Sequence, residues 1–460
     1  MISWRREITP LQWKALAAAW LGWMLDGMDI MLYAFALSSI RQEFGLDSAQ
    51  AGALASVTLV ASAFGGILFG VLADRIGRAR ALIFSILTYS VFTAAMATSR
   101  SLAHLVLWRA LVGFGLGGEW SAGSVLVSET WPARHRGKAI GFMQSGWAIG
   151  YILAALGAAL VLPRYGWRML FLLGILPALW TLWIRRHVPE PEIWMQHRRD
   201  AESAGRAAQV ALAPATAATS PTAARAALPS APVSILEILR PPLLGRTLVA
   251  TLIGSCVLFA YWGLFTWIPT FLASPVERGG AGLGLVRSTG WIVPMQIGAF
   301  CGYTLFGFGA DRFGRRPMFI GFLVGAAVIV PVYCLLGRSE AALLLLGPLV
   351  GFFGHGYFSV FGSMLAELFP TRIRATAQGL AYNSGRAVSA LAPYSIGALA
   401  DAHGLGPALA STSAFFLLGA GLVLLLPETR GMDLDGERRL EGSGVPAVVP
   451  AAPPQTPASS

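Results

Sequence analysis

One turn of unusual composition occurs twice in this chain. Gly70-Val-Leu-Ala-Asp74-Arg75-Ile-Gly77-Arg78-Ala-Arg80 in the first half is answered by Gly307-Phe-Gly-Ala-Asp311-Arg312-Phe-Gly314-Arg315-Arg316-Pro317 in the second. Each copy lies between two apolar runs long enough to cross a bilayer. A second pair follows at nearly the same offset: Glu129-Thr-Trp-Pro132-Ala-Arg134-His-Arg136-Gly137 and Glu367-Leu-Phe-Pro370-Thr-Arg372-Ile-Arg374. A chance match does not repeat twice in register. The pattern predicts a duplicated membrane bundle, and such bundles place a binding site at mid-membrane where the halves meet.

Twelve apolar runs follow along the chain: about 16–38, 51–73, 80–98, 102–126, 138–162, 167–187, 247–272, 288–310, 317–337, 341–365, 375–400 and 405–427. They are numbered here as spans 1 to 12. Lipid offers no partner to a backbone amide, so each run must be a helix. The fold expected is all-α and integral to the membrane, with two pseudo-symmetric bundles of six helices. Residues 1–190 make the first bundle and 246–428 the second. Residues 191–245 read as a cytoplasmic linker. Its centre is rich in Ala, Pro, Ser and Thr and cannot bury enough apolar surface to fold alone. Residues 429–460 read as a similarly loose cytoplasmic tail.

Only 12% of the 460 residues are charged, about half the share in soluble domains. The net charge of +11 does not indicate nucleic acid as a partner, because the cations lie in short loops and not on one basic face. With the N-terminus inside, 25 of the 34 Lys and Arg fall on the cytoplasmic side. That bias places both termini in the cytoplasm of a cell bounded by this inner, or plasma, membrane. Cys256, Cys301 and Cys334 fall inside spans as small apolar residues, with no metal-ligand spacing. The first apolar run lacks an Ala-x-Ala cleavage pattern and is expected to stay as a span.

The repeated turns, the Glu-Pro-Arg loops after spans 4 and 10, Arg109-Ala-Leu-Val-Gly113-Phe-Gly115-Leu-Gly117 and the exit Pro427-Glu428-Thr429-Arg430-Gly431 together resemble the major facilitator superfamily. Asp26-Gly27-Met28-Asp29, Gly117-Gly118-Glu119-Trp120, Tyr261-Trp-Gly-Leu-Phe-Thr-Trp267-Ile-Pro269 and Asn383-Ser-Gly-Arg386 narrow that resemblance. They are similar to the proton symporters for organic acids, closest to the sialate and lactate/pyruvate branch. The resemblance implies ion pairs between the turns (Asp74, Arg75, Arg78; Asp311, Arg312, Arg315) and the loops (Glu129, Arg134; Glu367, Arg372). These would close a cytoplasmic gate in the outward-open state and break when the halves rock apart. It also implies a coupling role for Arg109.

Charged side chains inside the bilayer are costly and mark function by default. Asp29 lies about 16 Å from the inner face at a helix rise of 1.5 Å per residue. Asp26 is one turn inward on a similar face. A carboxyl at that depth that loads a proton from one side and releases it to the other is what a symporter needs. The alternative for one of the two acids is structural: capping a broken helix or pairing with Arg109. Glu119, deeper toward the cytoplasm, reads either as a proton exit or as a partner for a loop arginine. Arg386 in span 11 cannot lose its proton and presents a planar fork matched to a carboxylate, either that of an anionic substrate or that of an acid on another helix. Asn383, one turn away, offers a further donor. His355, Gln296, Tyr261, Trp262, Gln144 and Trp147 complete a candidate cavity wall, each with ordinary packing as its other reading.

The expected function is import of a small organic anion with protons, by alternating access. A monocarboxylate such as lactate or pyruvate, or a sialate-like acid, leads; an aromatic acid or other metabolite is the alternative. The expected partners are a small carboxylate and the lipid bilayer, with a monomeric chain and no cofactor beyond the coupling proton. A sugar carrier is disfavoured because spans 7, 8 and 10 hold a single amide side chain, Gln296. A drug exporter would show a Gly-Pro kink that residues 146–157 lack. No metal cluster, Gly-x-Ser-x-Gly or phosphate loop supports an enzyme. A non-transporting sensor would tolerate loss of Asp26 and Asp29.

Overall fold

The computed structural model describes residues 7–192, 194–196, 198–199, 203, 238, 240–241, 243–336, 339–369 and 374–429. Most of the linker and nearly all of the tail expected from composition lie outside the described residues. So do Arg372 and the side chains of Asp74, Arg134, Asp311 and Glu367.

The described residues are helical throughout the spans, and no strand occurs among them. Pro10–Phe44 is span 1. Its start is written in sequence: Thr9 accepts from the Gln12 amide while Gln12 Oε1 accepts from the Thr9 amide, a reciprocal cap that satisfies two end donors. Ser48–Ile76, span 2, starts on the same device built from Asp47 and Gln50. Arg78–Ala95 carries span 3 and Leu102–Thr130 span 4. Ala133–Leu172 contains two crossings, because the chain reverses at Gly166 (φ 74°). Span 6 continues through Leu176–His187.

The second bundle is more broken. Span 7 is Leu243–Phe265 followed by Ile268–Ala273. Spans 8 and 9 are Gly284–Phe313 and Arg315–Pro331, the latter ending in a wide turn, Val332–Leu336. Span 10 divides into Glu340–Gly356 and Phe358–Leu368, span 11 into Arg374–Ser389 and Leu391–His403, and span 12 into Leu405–Ala410 and Ser413–Val423. Large apolar side chains such as Phe64, Leu160 and Leu345 stand exposed on the outer circumference. That is the surface lipid would cover.

The duplicated turns adopt the same geometry. Gly77 (φ 112°, ψ 155°) and Gly314 (φ 106°, ψ 155°) occupy equivalent positions that an L side chain rarely adopts. The helix that follows each is capped from the end of its own bundle. Glu190 accepts from the Ala79 and Arg80 amides at 3.1 Å each, and Glu428 accepts from the Arg315 and Arg316 amides at 2.9 and 3.1 Å. The molecule therefore has a turn face, which carries these motifs, and a far face opposite.

The bundles meet through spans 2 and 11 and through spans 5 and 8. At the far face Asp401 at the end of span 11 accepts from the Ser48 and Ala49 amides, at 3.3 and 3.1 Å, at the start of span 2. Gly52 and Gly397 let these two helices touch backbone to backbone, with no room for a Cβ at either position. The far face is closed.

Candidate functional site

Five ionisable side chains meet in the interior, each at least nine-tenths buried: Asp26, Asp29, Arg109, Glu119 and Arg386. Span 1 carries both aspartates on the face turned toward spans 3 and 4. Asp29 Oδ2 accepts a hydrogen bond from Thr93 Oγ1 of span 3 at 2.7 Å, and its Oδ1 has no partner among the described residues. Arg109 of span 4 lies within electrostatic reach of Asp29 and 4.0 Å above the Tyr33 ring, a cation–π position. No ion pair within 4.0 Å forms between Arg109 and Asp29. A chamber of about 20 Å³ lined by Tyr33, Thr58, Arg109, Trp262 and Thr266 lies here. It has room for roughly one water.

Glu119 sits beside Gly22, one turn of span 1 beyond Asp26 toward the turn face. Its carboxyl occupies the space that a side chain at Gly22 would need, and neither oxygen has a hydrogen-bond partner among the described residues. It faces Asp26 and the interior, not a loop arginine. Arg386 comes from the other bundle. It lies within electrostatic reach of Asp26 and 5.2 Å from the Tyr382 ring, and its Nε has no partner. No carboxylate lies within 4.0 Å of it among the described residues. A charge near mid-bilayer costs about 3 kcal/mol, and the acid within electrostatic reach of this guanidinium is Asp26.

The remaining predicted wall divides into two groups. Trp147 Nε1 donates to Tyr261 Oη at 2.6 Å, and Tyr261 Oη lies 3.4 Å from His355 Nε2. His355 Nδ1 is 3.2 Å from the Gly351 carbonyl, and the ring packs against Phe265 with 4.1 Å between centroids. His355 is thus held by its structural neighbours, in a chain that ties span 5 to spans 7 and 10. Gln144, Gln296 and Trp262 are buried with amide or indole atoms that lack partners. Asn383 does not stand free beside Arg386. Its Nδ2 donates to the Gly379 carbonyl at 3.0 Å, and its Oδ1 abuts Gly66 of span 2.

Sequence reasoning missed the flat contact between Trp120 of span 4 and Tyr382 of span 11, with centroids 4.2 Å apart and planes at 13°. It carries an aromatic surface across the bundle interface beside Arg386. The neighbours Glu119 and Arg386 gave the only sequence cue to it. Tyr89, near the three carboxyls, was also missed.

Among the predicted gate residues, Arg78 is buried and forked onto Glu129: Nε to Oε2 at 3.0 Å and Nη2 to Oε1 at 2.9 Å. Its Nη1 donates to the Ala73 carbonyl at 2.8 Å. Arg315 repeats that last bond to the Ala310 carbonyl at 3.1 Å. Arg75 and Arg312 are exposed. The Arg78–Glu129 pair joins two elements of one bundle, and it is intact while the far face is closed.

Two six-span bundles, a buried polar cluster on their shared axis and duplicated turns at one face define a secondary transporter. The chain belongs to the sugar (and other) transporter family, whose model matches residues 14–439, and its fold is that of the major facilitator superfamily. It is 35% identical, over 93% of its length and 99% of the relative, to a putative metabolite transport protein of Haemophilus influenzae. A probable 4-methylmuconolactone transporter of Cupriavidus pinatubonensis is 35% identical over 98% of this chain and 99% of its own. A cis,cis-muconate transport protein of Acinetobacter baylyi is 32% identical over 92% of this chain and 97% of its own. In fold the chain is similar to the inward-open xylose transporter of E. coli, with a TM-score of 0.69, 19% identity and coverage of 94% and 99%. The protein is a multi-pass membrane transporter, not an enzyme.

Proposed function

We propose that this transporter carries a small organic anion together with protons, taking the anion from the far face to the turn face by alternating access. The turn face is the cytoplasmic one, by the distribution of Lys and Arg. The observation that carries this reading is Arg386: a buried, permanently charged guanidinium without a carboxylate within 4.0 Å, facing the acid cluster of the other bundle. A substrate carboxylate supplies the missing counter-charge, in a fork that lysine cannot reproduce. Asp26 and Asp29 carry the proton.

Between the substrate classes raised by the sequence, the wall favours a flat acid. Trp120, Tyr382, Trp147 and Trp262 offer ring faces and edges, whereas amide donors are few. A planar unsaturated or aromatic carboxylate fits this surface better than a polyhydroxylated acid, which needs many hydrogen bonds. The muconate, niacin and benzoate named for three relatives are acids of that kind, whereas the sialic acid named for another is polyhydroxylated.

The test is uptake into proteoliposomes from a panel of benzoate, nicotinate, cis,cis-muconate, lactate and xylose. An inward proton gradient should drive accumulation of one or more flat acids and not of xylose. Arg386→Lys should weaken binding by about 10²-fold, the loss of a charge-assisted fork. Uptake indifferent to the gradient refutes proton coupling, and unchanged affinity in Arg386→Lys refutes the anion site.

A further inference from the structure

Span 3 reaches into the acid cluster with a group that neither the sequence motifs nor the substrate site accounts for. Tyr89 is fully buried, and its hydroxyl has no hydrogen-bond partner among the described residues. A buried hydroxyl without a partner costs about 1–3 kcal/mol, so its retention here calls for a reason.

Position follows from register. Spans 1 and 3 run in the same direction and touch. The Thr93–Asp29 hydrogen bond pins one turn of span 3 to one turn of span 1. Tyr89 is four residues before Thr93, and Asp26 three before Asp29, so one turn toward the cytoplasm the tyrosine comes level with the second aspartate. One further turn along span 1 lies Gly22, the notch filled by the Glu119 carboxyl. Gly115 of span 4 meets the Tyr89 backbone directly, and Ser85 Oγ donates to the Gly115 carbonyl at 2.7 Å. Those contacts press span 3 against span 4 and hold Tyr89 inside. Its hydroxyl is within electrostatic reach of Glu119, Asp26 and Asp29. The charged groups facing this cluster are Arg109, at the Asp29 end, and Arg386, at the Asp26 end.

The three carboxyls thus descend in steps from the Arg109 chamber to Glu119, and the Tyr89 hydroxyl, hydrogen-bonded to none of them among the described residues, comes level with the middle one by register. We propose that the Tyr89 hydroxyl relays the coupling proton between Asp29 and the inner pair Asp26 and Glu119, and that Glu119 is the acid from which the proton leaves toward the cytoplasm. At each hop the O–H bond of the donor breaks as an O–H bond of the acceptor forms. Tyr89 accepts a proton on its oxygen while passing its own to the next carboxyl, each hop taking place when a side-chain rotation or one bridging water brings the pair within hydrogen-bond reach, so it ends neutral and unchanged. Tyr89 is a relay residue and touches no substrate in this scheme. Trp120, which follows Glu119 in span 4, is stacked across the bundle interface on Tyr382. The exit acid therefore borders the surface where the halves part.

This inference rests on the proton-symport reading, and the experiment separates the two. Wild type, Tyr89→Phe and Glu119→Gln are reconstituted, and the probe is whichever panel acid the wild type accumulates. Two rates are measured: accumulation driven by an inward proton gradient, and exchange of labelled for unlabelled acid with equal pH on both sides. Exchange needs no net release of the proton, whereas accumulation does. Tyr89→Phe keeps the ring and removes one oxygen. It should slow gradient-driven accumulation by on the order of 10²-fold, the usual worth of a positioned proton-transfer group, with exchange near the wild-type rate. Glu119→Gln should lose gradient-driven accumulation by at least as much. A structural role alone would depress both rates together and lower thermal stability. Equal loss of both rates, or full gradient-driven accumulation in Tyr89→Phe, overturns the relay. If the wild type itself ignores the gradient, the symport reading falls, and the relay with it.

Discussion

Single residues here are placed by what their neighbours leave out. Glu119 is where it is because position 22 of the facing span has no side chain. Gly22→Ala puts a methyl group into the volume of that carboxyl. The expected cost is about 1–3 kcal/mol of overpacking, read as a lower thermal midpoint, with a much larger fall in gradient-driven uptake because the acid is displaced. Wild-type uptake in a folded Gly22→Ala protein would show that the position of Glu119 is immaterial. Intramembrane charges were the most legible part of the site. Asp26, Asp29, Arg109, Glu119 and Arg386 announce themselves because lipid forbids them otherwise, and the structure gathers all five in one interior cluster. Tyr89 was not legible, since an aromatic residue in an apolar run reads as packing. His355 and Asn383 stood out as polar residues, yet both are held by local partners.

At the scale of elements, the twelve spans could be read from sequence because every crossing must be apolar and of bilayer length. What is harder to read is where a crossing breaks. Span 10 divides at Tyr357 with no proline beside it, whereas the division of span 11 at Ala390 comes one turn before Pro393. The break in span 7 at residues 266–267 is stabilised by partners far away in sequence. Tyr151 Oη donates to the Phe265 carbonyl at 3.2 Å, and Trp267 Nε1 donates to the Pro393 carbonyl at 3.0 Å. Pro269 and Pro393 encode two of these breaks locally, because each lacks the amide that would bond the carbonyl four residues before it, of Phe265 and Ser389. A tertiary contact then satisfies the freed carbonyl of Phe265. The caps on spans 3 and 9 were hidden by distance along the chain. Glu190 lies in a Pro-Glu-Pro stretch that resembles the edge of a linker, yet it satisfies two amides more than a hundred residues away. Replacing Glu190 or Glu428 with Gln removes a charge from a helix start. Each change should cost about 0.5–2 kcal/mol, and pseudo-symmetry predicts similar drops in thermal midpoint for the two. A drop in only one would show that the duplicated caps are unequal.

At the scale of the whole molecule, the far face is closed by contacts that cross between the bundles. Asp401 grips the start of span 2, and beside it spans 2 and 11 touch through two glycines. A carboxylate at a helix N-terminus is worth about 0.3–1 kcal/mol. Asp401→Ala should therefore shift the balance toward the form open at the far face by up to about fivefold. The measurement is labelling of a Thr58→Cys reporter, beside the Arg109 chamber, by an impermeant thiol reagent in a background without the native cysteines. Unchanged labelling would exclude Asp401 as a latch. The latch crosses between bundles, whereas the Arg78–Glu129 fork and both glutamate caps lie within one.

That difference bears on how the two halves depend on each other. Glu190 and Glu428 each return the last helix of a half to an earlier turn of the same half, so each half is fastened into a unit by its own contacts. Covalent continuity between them then matters for bringing partners together in equal number, not for the shape of either. A carrier severed between its halves, with both pieces made in one cell, should reassemble from two separate polypeptides.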